Sequence, residues 1–69
     1  MILSSDIAAK VWKVLCAQGD IVGKGDELVI LESMKMEIPV VAPMRGTVAA
    51  VFVASGDLVQ AGGRLIEIT

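Results

Sequence analysis

The chain has 69 residues, of which 55% are hydrophobic and 20% charged, and its net charge is −2. So short a chain forms one domain with a small core and no deep cleft, and with Trp12 and Phe52 as its only aromatics and no basic cluster it offers no nucleic-acid surface. Every apolar run is broken by Gly, Asp or Lys well short of the ~20 residues of a membrane helix, and no basic segment leads into a long apolar stretch at the start, so a cytoplasmic protein without a membrane partner or signal peptide is expected.

In chain order, β-branched and apolar runs between Gly- and Asp-containing turns predict strands over Ile2–Ser4, Lys10–Ala17, Ile21–Val22, Glu27–Glu32, Ile38–Ala42, Thr47–Ala54, Leu58–Val59 and Arg64–Ile68. All seven glycines are expected in the turns, and no segment reads as a helix. Cys16 has no second cysteine and no histidine to work with, and reads as a small buried apolar residue on its strand. With no His, no Tyr and no clustered carboxylates, the chain lacks the groups for acid or base catalysis and is not expected to be an enzyme.

The strands form a repeat. A shift of 37 residues lays Ala9–Glu32 onto Gly46–Thr69 without a gap, with identity at eight of 24 positions, among them Val11/Val48, Val14/Val51, Gly19/Gly56, Asp20/Asp57 and Leu28/Leu65. The paired valines are three apart in each copy, whereas a strand returns to one face every two residues, so a bulge is predicted in both. Two halves, residues 1–32 and 38–69, are each too small to cover an apolar face. They are expected to close on one another as an all-β flattened barrel of eight short strands with pseudo-two-fold symmetry.

Five residues, Ser33-Met34-Lys35-Met36-Glu37, belong to neither half, and Lys35 is at their centre. Apolar runs on both sides are close enough for a hairpin, which sets this lysine at a projecting tip. Tight hairpin turns take Asn-Gly, Asp-Gly or Gly-X because their central residues need positive φ, and Met-Lys supplies none of these. A broken local rule in a chain that elsewhere provides Gly at its turns points to function, and two methionines beside the lysine leave flexible apolar surface for a partner. The Gly-Asp pairs, two isolated carboxylates, read as turns and not as metal or phosphate contacts.

Glu32-Ser33-Met34-Lys35-Met36-Glu37 resembles the attachment motif of the biotinyl (biotin/lipoyl attachment) domain family. Ala42-Pro43-Met44-Arg45-Gly46-Thr47-Val48 and both Gly-Asp-x-Val repeats extend the likeness over nearly the whole chain, residues 1–69. The first half departs from the pattern, with Ser5-Asp6-Ile7-Ala8-Ala9 in place of Ala-Pro-Met-x-Gly, and Ile38-Pro39 stands where Asn is common.

The resemblance implies a barrel-sandwich hybrid fold and a biotin carboxyl carrier role. Lys35 matches the lysine that a biotin protein ligase joins to biotin in an amide, after which the tethered ring shuttles a carboxyl group between a biotin carboxylase and a carboxyltransferase. Met34, Met36 and Glu37 match residues bordering that lysine that the ligase reads, and Glu32 matches a position implicated in excluding the lipoylating enzyme. The gapless repeat leaves no room for the thumb insertion of some carriers, and the length is similar to that of small free-standing biotin/lipoyl attachment proteins and equally to that of a domain excised from a larger carboxylase. Two alternatives stand beside this reading: a lipoyl carrier, or dually modified protein, with lipoate on the same lysine, and an unmodified barrel-sandwich interaction module.

Overall fold

Asp20 and Asp57 set the two halves in the same shape. Each carboxylate accepts a hydrogen bond from the backbone N–H three residues earlier, from Ala17 at 2.8 Å and from Ala54 at 2.9 Å. Gly19 and Gly56 precede them at φ 94° and 96°, values that a side chain strongly disfavours. The peptide between turn and strand is equivalent too, with Gly19 N donating to Val48 O and Gly56 N to Val11 O, both at 2.8 Å.

The computed structural model describes residues 1–69 and contains eight strands and no helix. They are β1 (Ile2–Ser4), β2 (Ala9–Val14), β3 (Ile21–Val22), β4 (Glu27–Ser33), β5 (Met36–Val41), β6 (Gly46–Val51), β7 (Leu58–Val59) and β8 (Arg64–Ile68). Two four-stranded sheets have the orders β1-β8-β6-β3 and β5-β4-β2-β7. Shifting by 37 residues carries β1 to β5, β2 to β6, β3 to β7 and β4 to β8, and so turns one sheet order into the other. Every pairing is antiparallel, and Pro39 is accommodated because β5 is an edge strand.

Both predicted bulges are present. The β2–β4 register slips between Val11 and Lys13, and the β6–β8 register between Val48 and Ala50. The slips let Val11 and Val48 enter the core fully while Val14 and Val51, three residues on, still pack against it. The core is eleven apolar residues drawn from both halves, with Leu28, Leu31, Leu65, Ile66 and Ile68 the largest of them.

Three expectations need correction. β2 and β6 end at Val14 and Val51, not at Ala17 and Ala54, because the N–H groups of Ala17 and Ala54 are taken by the aspartates and not by a neighbouring strand. Cys16 is therefore not on a strand but just beyond β2, only partly buried against the core. Gly46 is not in a turn but opens β6, where a Cβ would collide with the Ile68 side chain and come within 2.8 Å of Thr69 O.

Candidate functional site

β4 and β5 form the longest hairpin of the fold, and its outer rungs pair Leu31 with Ile38, Glu32 with Glu37 and Ser33 with Met36. The strands zip two residues closer than the repeat boundaries imply, so the tip shrinks from residues 33–37 to Met34-Lys35 alone. These two are the only non-glycine residues with positive φ, 52° and 64°. Such values at both central positions make a two-residue type I′ turn, whose twist matches that of the flanking strands. Left-handed backbone costs a residue with a Cβ about 1 kcal/mol or more. The turn is thus built from residues that neither favour it nor pack within it.

Each residue singled out from the sequence faces solvent at this tip. Met34 is 92% exposed and Met36 63%, values at which neither methionine contributes to the core. Lys35, Glu32 and Glu37 are exposed as well, and no side-chain hydrogen bond of the fold engages the Lys35 amine. Rung order puts Glu32 and Glu37 directly opposite each other one step below the closing pair, with Lys10 of β2 opposite Glu32 on its other side. The result is a free primary amine at the end of a two-stranded arm, bracketed by apolar side chains and, one rung below, by carboxylates.

The symmetry also explains why there is one such lysine. The equivalent of the Leu31–Ile38 rung is Ile68 with Met1, which exchange hydrogen bonds of 2.8 Å from Met1 N to Ile68 O and from Ile68 N to Met1 O. β1 and β8 thus pair where the other half has its hairpin.

Two concavities flank the body. One, of about 580 Å³, lies beside Cys16, Asp20 and Glu27. There burial, and secondarily the Asp20 carboxylate, push the Cys16 thiol above its ordinary value of 9.0, which holds it as an unreactive thiol. The other, of about 360 Å³, lies between the bend after β1 and the β4–β5 hairpin. Sequence reading treated that bend, Ser5-Asp6-Ile7, only as a departure from a pattern; comparison of the two half-repeats, Ser4-Ser5-Asp6 against Val41-Ala42-Pro43, would have marked it as distinct.

Comparison with known proteins agrees with this geometry. The profile of the family described as "Biotin-requiring enzyme" matches residues 2–68. The chain is 51% identical over 65 residues to the "Biotinylated protein TB7.3 homolog" of Mycobacterium leprae (strain TN), covering 94% of this chain and 92% of that one. It is 46% identical over 69 residues to the "Biotin/lipoyl attachment protein" of Bacillus subtilis (strain 168), covering 100% of this chain and 94% of the other. Among solved structures, the urea carboxylase of Kluyveromyces lactis superposes with a TM-score of 0.92 at 36% identity, over 100% of this chain but 6% of the carboxylase. No helix of the chain is long and apolar enough to cross a membrane.

Proposed function

This chain belongs to the biotin/lipoyl attachment family, and from that membership we propose that it is a biotin carrier, with biotin joined by an amide to Nζ of Lys35. The observation that carries this reading is the strained Met34-Lys35 turn, which keeps an unpaired lysine at the end of a rigid hairpin where a glycine turn would fold more easily. The residues fit the group: Lys35 is solvent-exposed, no side-chain hydrogen bond of the fold engages its amine, and the flanking Met34 and Met36 are exposed too.

Activation of the amine falls to the modifying enzyme, since no base or neighbouring cation of this chain engages it. A biotin protein ligase presents the biotin carboxyl carbon as an activated acyl group. The amine loses its proton, the C–N bond forms and the bond to the acyl leaving group breaks. Met34 and Met36 supply the adaptable apolar contact for that ligase, and Glu32 and Glu37 mark the base of the recognised segment. Once attached, biotin supplies a ureido nitrogen that carries a carboxyl group between a biotin carboxylase and a carboxyltransferase. The chain itself contributes tether, rigidity and effective concentration at each of those sites, and acts as a non-catalytic carrier.

Intact-mass measurement after co-expression with a biotin ligase, followed by peptide fragmentation, tests this directly. One biotinyl increment confined to Lys35 and absent from a folded Lys35→Ala variant is expected. An unmodified chain beside a modified control domain, or a lipoyl increment in its place, overturns the choice of cofactor.

A further inference from the structure

The concavity of about 360 Å³ beside the hairpin breaks the pseudo-two-fold symmetry. It is lined by residues 4–7 of the bend after β1 and by Leu31, Ile38, Pro39 and Val40 of the hairpin that carries Lys35. Applying the 37-residue shift sends Ser4, Ser5 and Asp6 to Val41, Ala42 and Pro43, and the hairpin wall to Ile68, Met1, Ile2 and Leu3. That second place is apolar throughout and holds no comparable cavity. The half next to the lysine therefore has a polar floor and a recess that the other half lacks. The recess is within the size range of small-molecule sites, and its mixture of apolar wall with a few polar groups is their usual make-up.

We infer that this recess is a resting site for the biotinyl ring tethered to Lys35, an inference that rests on the attachment proposed above. Reach permits it. The nearest wall, the Leu31–Ile38 rung, is two rungs below the Ser33–Met36 closing pair and three residues from Lys35 along β5, or ~10 Å at ~3.4 Å per residue. An extended chain advances roughly 1.2 Å per bond, and the lysine stem with the acyl chain of biotin holds about ten bonds, so an arm of ~12 Å laid back along the hairpin brings the ring to that wall. Chemistry permits it as well. Ile7, 39% exposed, and Pro39 offer apolar surface to the sulfur-containing ring. The Asp6 carboxylate accepts from the ureido N–H groups, while Ser5, 2% exposed, fixes the bend by donating from Oγ to Ile7 O at 2.5 Å. A docked ring is withheld from partners, so their apparent affinity for the arm scales with the fraction undocked.

The test compares amide chemical shifts of the unmodified and biotinylated protein, with complete attachment at Lys35 first confirmed by mass. Docking predicts shift changes at Ser5–Ile7 and Ile38–Val40 in addition to the tip, and cross-relaxation between ring protons and the side chains of Ile7 and Pro39. Asp6→Ala, at an exposed position, should keep the mass increment and lose most of the remote shifts. A fully biotinylated protein whose changes stay within residues 33–37, or remote shifts untouched by Asp6→Ala, overturns the resting site. Absence of the mass increment would instead count against attachment itself.

Discussion

Glu32 and Glu37 face one another across β4 and β5, one rung below the pair that closes the hairpin. Like charges set directly opposite destabilise a sheet, and here only Lys10, on the far side of Glu32, offsets them. Folding alone does not ask for this arrangement. Glu37→Lys makes the row alternate in sign across β2, β4 and β5 and is expected to raise stability by about 0.5 kcal/mol. Urea denaturation measures that gain, which should shrink in high salt. Because Glu37 stands at the base of the proposed ligase segment, biotin incorporation should slow in the same variant. A variant that is both more stable and fully modified would remove Glu37 from recognition.

The Met34-Lys35 turn carries a second conflict between stability and use. With both residues at positive φ, Met34→Asn places a residue that tolerates left-handed backbone in a type I′ position while leaving the lysine in place. The urea midpoint should rise by the equivalent of about 1 kcal/mol. Biotinylation, followed by mass against time, should slow, since the methionine is 92% exposed and has no packing role to lose. If stability rises and the rate is unchanged, the methionine is dispensable to the ligase.

The eight strands, the repeat and the paired bulges are legible in the sequence because they rest on local signals: Gly-Asp turns, β-branched runs and valines spaced by three. What escaped was decided by pairing across the molecule. The ends of β2 and β6 depend on which acceptor takes the N–H of Ala17 and Ala54, and a side-chain carboxylate three residues on competes there with a neighbouring strand. The tip closes to two residues through a Ser33–Met36 pair that no local rule favours, since it forces left-handed backbone on Met and Lys. Gly46 reads as a turn former, but it is fixed by how closely Thr69 passes, a contact with no local trace. Lys35 stands out in the sequence for the opposite reason, as the residue at which symmetry and turn chemistry both fail.

Cys16 gives a prediction in pH. Its folded thiol is held above the ordinary value of 9.0, chiefly by burial and then by Asp20. An acid whose folded pKa is raised binds its proton more tightly in the folded state. Its effect is therefore absent well below 9.0, and as pH climbs past that value the unfolded chain deprotonates first and stability falls. Cys16→Val, the residue type found at the equivalent Val53, should flatten this alkaline loss relative to the parent chain. Urea titrations of both at pH 7 and about 10 give the comparison. Alkylation of the folded thiol at neutral pH should likewise be slower than that of a free thiol.

Glycine substitutions separate two kinds of constraint. At Gly19 and Gly56 nothing lies within 4 Å of where a Cβ would sit, so Gly→Ala there meets no neighbour and the cost is conformational, about 1 kcal/mol each from positive φ. The two turns belong to different halves and hold different strands, so the double variant should lose close to the sum. Gly46 has no such φ, and Gly46→Ala would be harmless if backbone freedom were all that mattered. Its Cβ, however, would strike the Ile68 side chain and lie 2.8 Å from Thr69 O. That oxygen cannot withdraw, because Thr69 and Thr47 exchange backbone hydrogen bonds of 2.9 Å in both directions. Overpacking against a fixed neighbour costs about 1–3 kcal/mol, so Gly46→Ala should be the most damaging of the three and should loosen amide protection at Thr47 and Thr69. Ile68→Ala in the same chain relieves only the side-chain clash, so partial rescue is expected; full rescue would mean that Thr69 is free to move.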